Sequence, residues 1–188
     1  MMEFSDRRLE EFMQRQIGEL VIECIQGDIT RQPDIDIIVN AANKQLKGGG
    51  GVDGAINRAA GPALVEASRA LGPIDTGQAV VTEAFDLPND SVVHCVGPVY
   101  SNNPDVPERL ASCYRNALAL AEDKKAASIA FPAISAGVYG YPLDEAGAIA
   151  VQTVAEHARE AISLTHVRFV LFSEDVYQAF AKALSELT

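Results

Sequence analysis

Four consecutive glycines, Gly48 to Gly51, run directly into Val52-Asp53-Gly54-Ala55-Ile56-Asn57, a segment with helical apolar spacing. Such a run is costly in chain entropy and is tolerated where the backbone must turn sharply or approach something closely. Entering a helix, it offers several unpaired N–H groups to one point, which makes a cradle for a phosphate; the alternative is a flexible surface loop. Asp53 just inside suits the positive end of the helix dipole, acid–base work on whatever the loop holds, or both. A second small segment, Ser135-Ala136-Gly137-Val138-Tyr139-Gly140, also precedes a helix. It reads either as the opposite wall of an anion site, with Tyr139 as a lid, or as a tight turn with a packed tyrosine. Gly27-Asp28-Ile29-Thr30, taken alone, reads as a turn with Asp28 capping the next segment.

Several chemistries are disfavoured by the same spacing. Gly49, Gly51 and Gly54 satisfy G-x-G-x-x-G, but the run does not follow a first strand directly and an acid sits inside it, unlike the dinucleotide fingerprint. A nicotinamide oxidoreductase is therefore a minor alternative. There is no G-x-x-x-x-G-K-[ST] and no G-x-S-x-G around Ser135. His94 beside Cys95 within an apolar run reads as core, because adjacent strand residues face opposite ways.

The elements that must position these residues alternate. Leu20–Ile25, Ile35–Val39, Ala79–Thr82, Ser91–Val96, Ser128–Ala133 and Val167–Phe172 read as strands. Val52–Ala60, Pro62–Leu71, Glu108–Lys124, Leu143–Ala161 and Val176–Leu187 read as helices, the last opened by a capping box of Asp175 and Gln178. The pattern predicts an α/β fold with a largely parallel sheet covered on both faces, with ligands at the carboxyl ends of its strands. Residues 1–18 are expected to be an extension, helical over Ser5–Gln16, outside a single domain at 19–188.

Net charge −11 opposes non-specific attraction to nucleic acid or anionic lipid, so no partner of either kind is expected. An anionic ligand would have to be held by backbone N–H groups more than by a cationic patch. Three cysteines without a C-x-x-C pair predict buried thiols in a reducing compartment. The charged start lacks a signal-peptide core and no apolar stretch approaches the ~20 residues of a membrane span, so a cytoplasmic location is the expectation.

Read together, these segments resemble a macro domain of the MacroD type, a branch of ADP-ribose-binding hydrolases. The resemblance runs from Gly27 to the last helix. Its most specific part is Asn43, six residues, Gly50-Gly51-Val52-Asp53, then Gly54-Ala55-Ile56 and Arg58-Ala59-Ala60-Gly61-Pro62-Ala63-Leu64. Thr76-Gly77, Val93-His94 with Val96-Gly97-Pro98, and Ala130 to Ser135 are also similar to that family, including bacterial O-acetyl-ADP-ribose deacetylases.

The resemblance implies a three-layer α/β/α sandwich around a mixed sheet and a cleft for ADP-ribose. It implies that Asp28 accepts from the adenine amine, that the Ile29 amide meets the ring edge, and that Phe172 packs on the adenine face. Amides of Gly49, Gly50, Gly51 and Val52, and of Ser135, Ala136, Gly137, Val138 and Tyr139, would clamp the diphosphate. Asn43 would bind the distal ribose beneath Tyr139, and Asp53 would act on water or a ribose hydroxyl. The implied reaction is hydrolysis of an ester at the distal ribose, in O-acetyl-ADP-ribose or on mono-ADP-ribosylated Asp or Glu of proteins. The alternative is a non-catalytic reader of ADP-ribose. No cofactor and no metal are expected. One departure stands out: Asn57 occupies a position where MacroD-type sequences commonly carry histidine.

Overall fold

Strand formation follows the apolar β-branched runs. The computed structural model describes residues 12–188. Its strands are β1 (Phe12–Ile17), β2 (Leu20–Gln26), β3 (Ile37–Ala41), β4 (Ala79–Glu83), β5 (Ser91–Cys95), β6 (Ser128–Phe131) and β7 (His166–Leu171). The helices are α1 (Gly51–Ala60), α2 (Pro62–Arg69), α3 (Val106–Asp123), α4 (Leu143–His157) and α5 (Glu174–Ser185). All seven strands join one sheet in the order β1-β2-β7-β6-β3-β5-β4. The five central strands are parallel, and the edge strands β1 and β4 are antiparallel to their neighbours.

Alternating residues point to opposite faces and build two cores. Ile22, Ile37, Val39, Val93, Phe131 and Phe169 meet Leu110, Tyr114, Ala150, Val154 and Phe180 from α3, α4 and α5. Ile38, Val92, Ala130 and Val170 meet Ile56, Ala60 and Leu64 from α1 and α2. This is the three-layer α/β/α sandwich with a mixed, largely parallel sheet that the sequence predicts. Cys24, Cys95 and Cys113 are buried free thiols. No helix among the described residues is long and apolar enough to cross a membrane.

The N-terminal expectation needs correction. Phe12–Ile17 is a strand paired with β2, not a helix; Ser5 to Glu11 of the expected helix lie outside the described residues. Met13, Arg15 and Ile17 alternate as half-buried residues with exposed Gln14 and Gln16. Arg15 faces inward because its Nη1 donates to the carbonyls of Leu184 and Leu187, at 3.2 and 2.6 Å, neutralising the carboxyl end of α5. A charge in that position masks the two-residue period.

Several helix ends differ by a few residues from the expected ranges, and two ends bear on the reading of the sequence. Helix α5 starts at Glu174 with Ser173 as N-cap and no side-chain capping bond, so Asp175 is a first-turn acid and not the cap. Helix α4 stops at His157, short of Ala161. The Glu122 carboxylate on α3 accepts the N–H groups of Ile162, Ser163 and Leu164 and pulls that segment out of helical geometry.

Candidate active site

Parallel strands deliver the segments that follow them to one edge of the sheet. Residues 27–36 follow β2, 42–50 follow β3, 96–105 follow β5, 132–142 follow β6, and Phe172 follows β7. Every segment singled out in the sequence is therefore on one rim.

Helix α1 begins at Gly51 with Gly50 as N-cap and no side chain on its first amides. Gly54 N–H is the first to be taken, by Gly50 O at 3.2 Å, which leaves the amides from Gly49 to Asp53 without an intramolecular partner among the described residues. Gly54 has to be glycine: a Cβ there would lie 2.7 Å from Gly49 O, so the loop could not fold back on its own helix. Asn43 pins the loop from the other side, its Nδ2 donating to Gly48 O at 2.9 Å and its Oδ1 accepting from Lys47 N at 3.3 Å.

The loop after β6 presents a second row. Ala136 N–H is taken by Ala133 O at 3.2 Å, whereas the amides of Ser135, Gly137, Val138 and Tyr139 have no intramolecular partner among the described residues. Ser135 has φ +65°, and its buried hydroxyl has no hydrogen-bond partner. Gly97 lies against it so closely that a Cβ would stand 2.3 Å from Ser135 Oγ and 2.6 Å from Ile134 Cγ2. Gly97→Ala is accordingly expected to cost about 1–3 kcal/mol by overpacking, read as a lowered midpoint in chemical denaturation. Tyr100 N–H donates to Tyr139 O at 2.9 Å and ties the lid residue to the loop after β5.

Asp53 is 5% exposed and anchors a chain of polar groups beneath the glycine loop. Its Oδ1 accepts from Asn40 Nδ2 at 2.9 Å and from Asn57 Nδ2 at 2.8 Å. Its Oδ2 faces Gly49, 3.4 Å from where that residue's Cβ would be, with Asn43 Nδ2 similarly close. Asp53 and Asn57 are one helical turn apart, so they lie on the same face of α1. Asn40 and His94 are register partners on β3 and β5, and Asn40 Nδ2 lies 3.1 Å from His94 Nδ1. His94 Nε2 lies 3.0 Å from Thr82 Oγ1 on β4, which donates to Glu83 O.

These distances fix the protons. The Asn40 amide spends its two N–H groups on Asp53 and His94, so His94 Nδ1 accepts and Nε2–H donates to Thr82. Burial pushes the His94 pKa down to about 4, which keeps the ring neutral. Burial also pushes the Asp53 carboxyl above its ordinary value, against the opposing hydrogen bonds from Asn40 and Asn57.

At the far end of the rim, Asp28 Oδ1 accepts from Thr30 N at 2.9 Å and Thr30 Oγ1 at 2.7 Å. Those bonds hold its carboxyl below its ordinary value. Oδ2 has only exposed Arg31 nearby, at 3.7 Å, and remains open to a donor. The turn is braced by Gln32 Nε2 on Asp28 O at 2.9 Å, and Gln32 in turn accepts from Arg168 Nη1 at 2.8 Å. Phe172 is 88% exposed and Val138 99% exposed, apolar groups left open on the same rim. The Ile29 side chain is buried, and its amide has no hydrogen-bond partner among the described residues.

Sequence reading did not single out Asn40, Thr82 or the link from His94 to Asp53. The signal for them is a polar residue one position before the end of each of two apolar strands, Asn40 in Ile37–Ala41 and His94 in Ser91–Cys95, since a buried polar group requires a partner. Among the described residues no group of three or more His, Cys, Asp or Glu is placed to hold a metal ion.

Comparison with known proteins places this rim in a family. Residues 39–150 match the family model of the macro domain. A macro domain-containing protein of Chlorobaculum tepidum is 49% identical over 167 residues, covering 88% of this chain and 96% of that protein. A Cronobacter sakazakii protein named O-acetyl-ADP-ribose deacetylase is 47% identical over 170 residues, covering 88% and 94%. The Oceanobacillus iheyensis macrodomain, solved with ADP, superimposes with a TM-score of 0.88 at 44% identity, covering 93% of this chain and 95% of that one. A variant of that macrodomain was solved with ADPR. Sequence and fold thus agree over nearly the whole length on both sides of each comparison, and the chain belongs to the macro domain family.

Proposed function

We propose that this protein binds ADP-ribose along the rim and hydrolyses an ester at its distal ribose. The observation that carries the reading is one buried carboxylate, Asp53, set against the first of two rows of unpaired amides that share one edge of the sheet. Macro domain relatives solved with ADP and ADPR, and one named as a deacetylase of O-acetyl-ADP-ribose, support it.

In this reading Asp28 Oδ2 accepts the adenine amine, Ile29 N–H meets the ring edge and Phe172 covers the base. Amides of Gly49 to Val52 and of Ser135 to Tyr139 hold the diphosphate, so neutral dipoles compensate its charge. Asn43 binds the distal ribose beneath Tyr139. Asp53 Oδ2 takes a proton from water as the water oxygen bonds to the acyl carbon. The tetrahedral adduct then collapses: the bond from acyl carbon to ribose oxygen breaks, and the proton returns to that oxygen. The products are a carboxylic acid and free ADP-ribose. Burial makes Asp53 a stronger base than an exposed aspartate, and the two amides on Oδ1 fix its direction.

Calorimetry is expected to show ADP-ribose binding at micromolar Kd or tighter, roughly −8 kcal/mol, with AMP weaker. Incubation with O-acetyl-ADP-ribose and with an auto-modified mono-ADP-ribosyltransferase is expected to release ADP-ribose. Binding without release from either would make the protein a reader. Asp28→Ala is expected to weaken ADP-ribose by about 1.5–3 kcal/mol and to reduce discrimination against a guanine analogue. Unchanged affinity in that variant would leave Asp28 as a turn residue only.

A further inference from the structure

At Asn43 and Tyr139 the rim opens into a cavity of about 380 Å³ that the second amide row meets only at its last residue, Tyr139. Neither Gly49 to Asp53 nor Ser135 to Val138 lines it; Asn43, Lys44, Thr76, Asn103, Arg109 and Tyr139 do. It therefore begins where the diphosphate cradle ends, on the side of the proposed distal ribose.

Its charge is inverted relative to the chain. The protein carries −11 overall, yet the wall of this cavity holds Lys44 and Arg109 and no carboxylate. Neither cation belongs to an ion pair among the described residues. Glu108, beside Arg109 in sequence, is instead engaged by Arg115. Val99, 62% exposed, adds an apolar lip.

Size bears on the substrate. Asn43 and Tyr139, the proposed ribose contacts, line one part of the cavity; toward Thr76, Asn103 and Arg109 an acetyl group would add only three heavy atoms, at the roughly 30 Å³ that a water molecule occupies in the liquid. A polypeptide segment would fill it. We propose that this cavity is an acceptor subsite for mono-ADP-ribosylated protein, in which Lys44 and Arg109 bind carboxylates flanking the modified residue. The inference rests on the ester-hydrolase reading and refines it: acidic segments are the preferred protein substrate, and the two cations do not touch ADP-ribose.

The test compares the 188-residue protein with its Lys44→Ala/Arg109→Ala variant on three substrates. These are O-acetyl-ADP-ribose, a mono-ADP-ribosylated peptide with flanking Asp and Glu, and the same peptide with Asn and Gln in those positions. The wild type is expected to favour the acidic peptide over the neutral one by roughly tenfold in kcat/KM, the upper scale of two exposed ion pairs, since Lys44 and Arg109 are both exposed. The double variant is expected to bring that ratio near one, with O-acetyl-ADP-ribose turnover and ADP-ribose affinity within twofold of wild type. Equal turnover of both peptides by the wild type would overturn the proposal. So would a parallel loss of ADP-ribose affinity in the variant, since the cations would then hold the nucleotide itself. Binding of both peptides with a non-hydrolysable linkage separates this from the catalytic reading. A protein that cleaves no ester but still binds the acidic peptide about tenfold tighter, dependent on Lys44 and Arg109, refutes hydrolysis and retains the subsite. Equal binding of the two peptides removes the subsite whatever the enzyme does.

Discussion

Asp53→Ala is expected to cut turnover of an ADP-ribosyl ester by about 100-fold or more while ADP-ribose affinity changes far less. The asymmetry follows from geometry. Oδ1 is occupied by Asn40 and Asn57, and the nearby amides that would hold the diphosphate are backbone groups that survive the substitution. The proton acceptor is lost, and Asn40 and Asn57 lose their shared partner with it, while both rows of amides remain. Asn43→Ala should instead lose affinity and rate together, because Asn43 both pins the glycine loop and would face the sugar in ground and transition states. Single-turnover kinetics beside calorimetry on each variant separate the two patterns. Retained turnover in Asp53→Ala would take the carboxylate out of the mechanism and leave activation of water to the substrate's own phosphate.

Acid is expected to destabilise the protein through His94. Its pKa is about 4 when folded, against an ordinary 6.5 when unfolded. Between those values the unfolded chain binds a proton that the folded chain refuses. The contribution is thus fully present above pH 6.5 and is lost as pH falls toward 4, amounting to about 3 kcal/mol. Asp53 acts with the opposite sign: its raised pKa means that the folded state takes up that proton first, offsetting part of the loss. Urea denaturation from pH 7 to pH 4 should show the decline in the wild type and a flatter curve in His94→Gln. The same slope in both would place the acid sensitivity elsewhere. Protonation at Nδ1 would also set two donors, the ring and Asn40, against each other and release Asp53 from one of its two supports.

Most of the sheet was readable because the central strands are mainly apolar, β-branched runs, most of them bounded by Gly, Pro, Asp or Asn, and isolated polar residues such as Glu23, Asn40, His94 and Arg168 do not break those runs. The glycine run and Asp53 were readable for a local reason: loop, helix start and acid are contiguous in the chain. What escaped is held by distant partners. Strand β1 was hidden because Arg15 faces inward to reach the end of α5, a contact across 169 residues to Leu184. The shortening of α4 depends on Glu122 of another helix. Asn40 and His94 are 54 residues apart, and only the register of β3 with β5 makes them a pair. The Asn57 departure has a concrete outcome in the structure: its amide donates to the Asp53 carboxylate, a role that needs no titratable ring.

A grip made of peptide amides has a kinetic signature. The Gly49–Asp53 and Ser135–Tyr139 segments contain no lysine or arginine, and the molecule around them carries −11. At distances where the net charge dominates, a diphosphate diffusing toward the rim climbs a repulsive field, and only close in do the proposed amide cradle and the neighbouring Lys44 and Arg109 attract it. Added salt shortens the reach of that field, from a Debye length of ~30 Å at 0.01 M to ~8 Å at 0.15 M. Association should accelerate with ionic strength, opposite to sites that steer anions with a basic patch. Dissociation, governed by short hydrogen bonds from groups that never titrate, should hardly respond. In a site of this construction, recognition of a diphosphate would rest on short-range geometry, and long-range attraction would play little part.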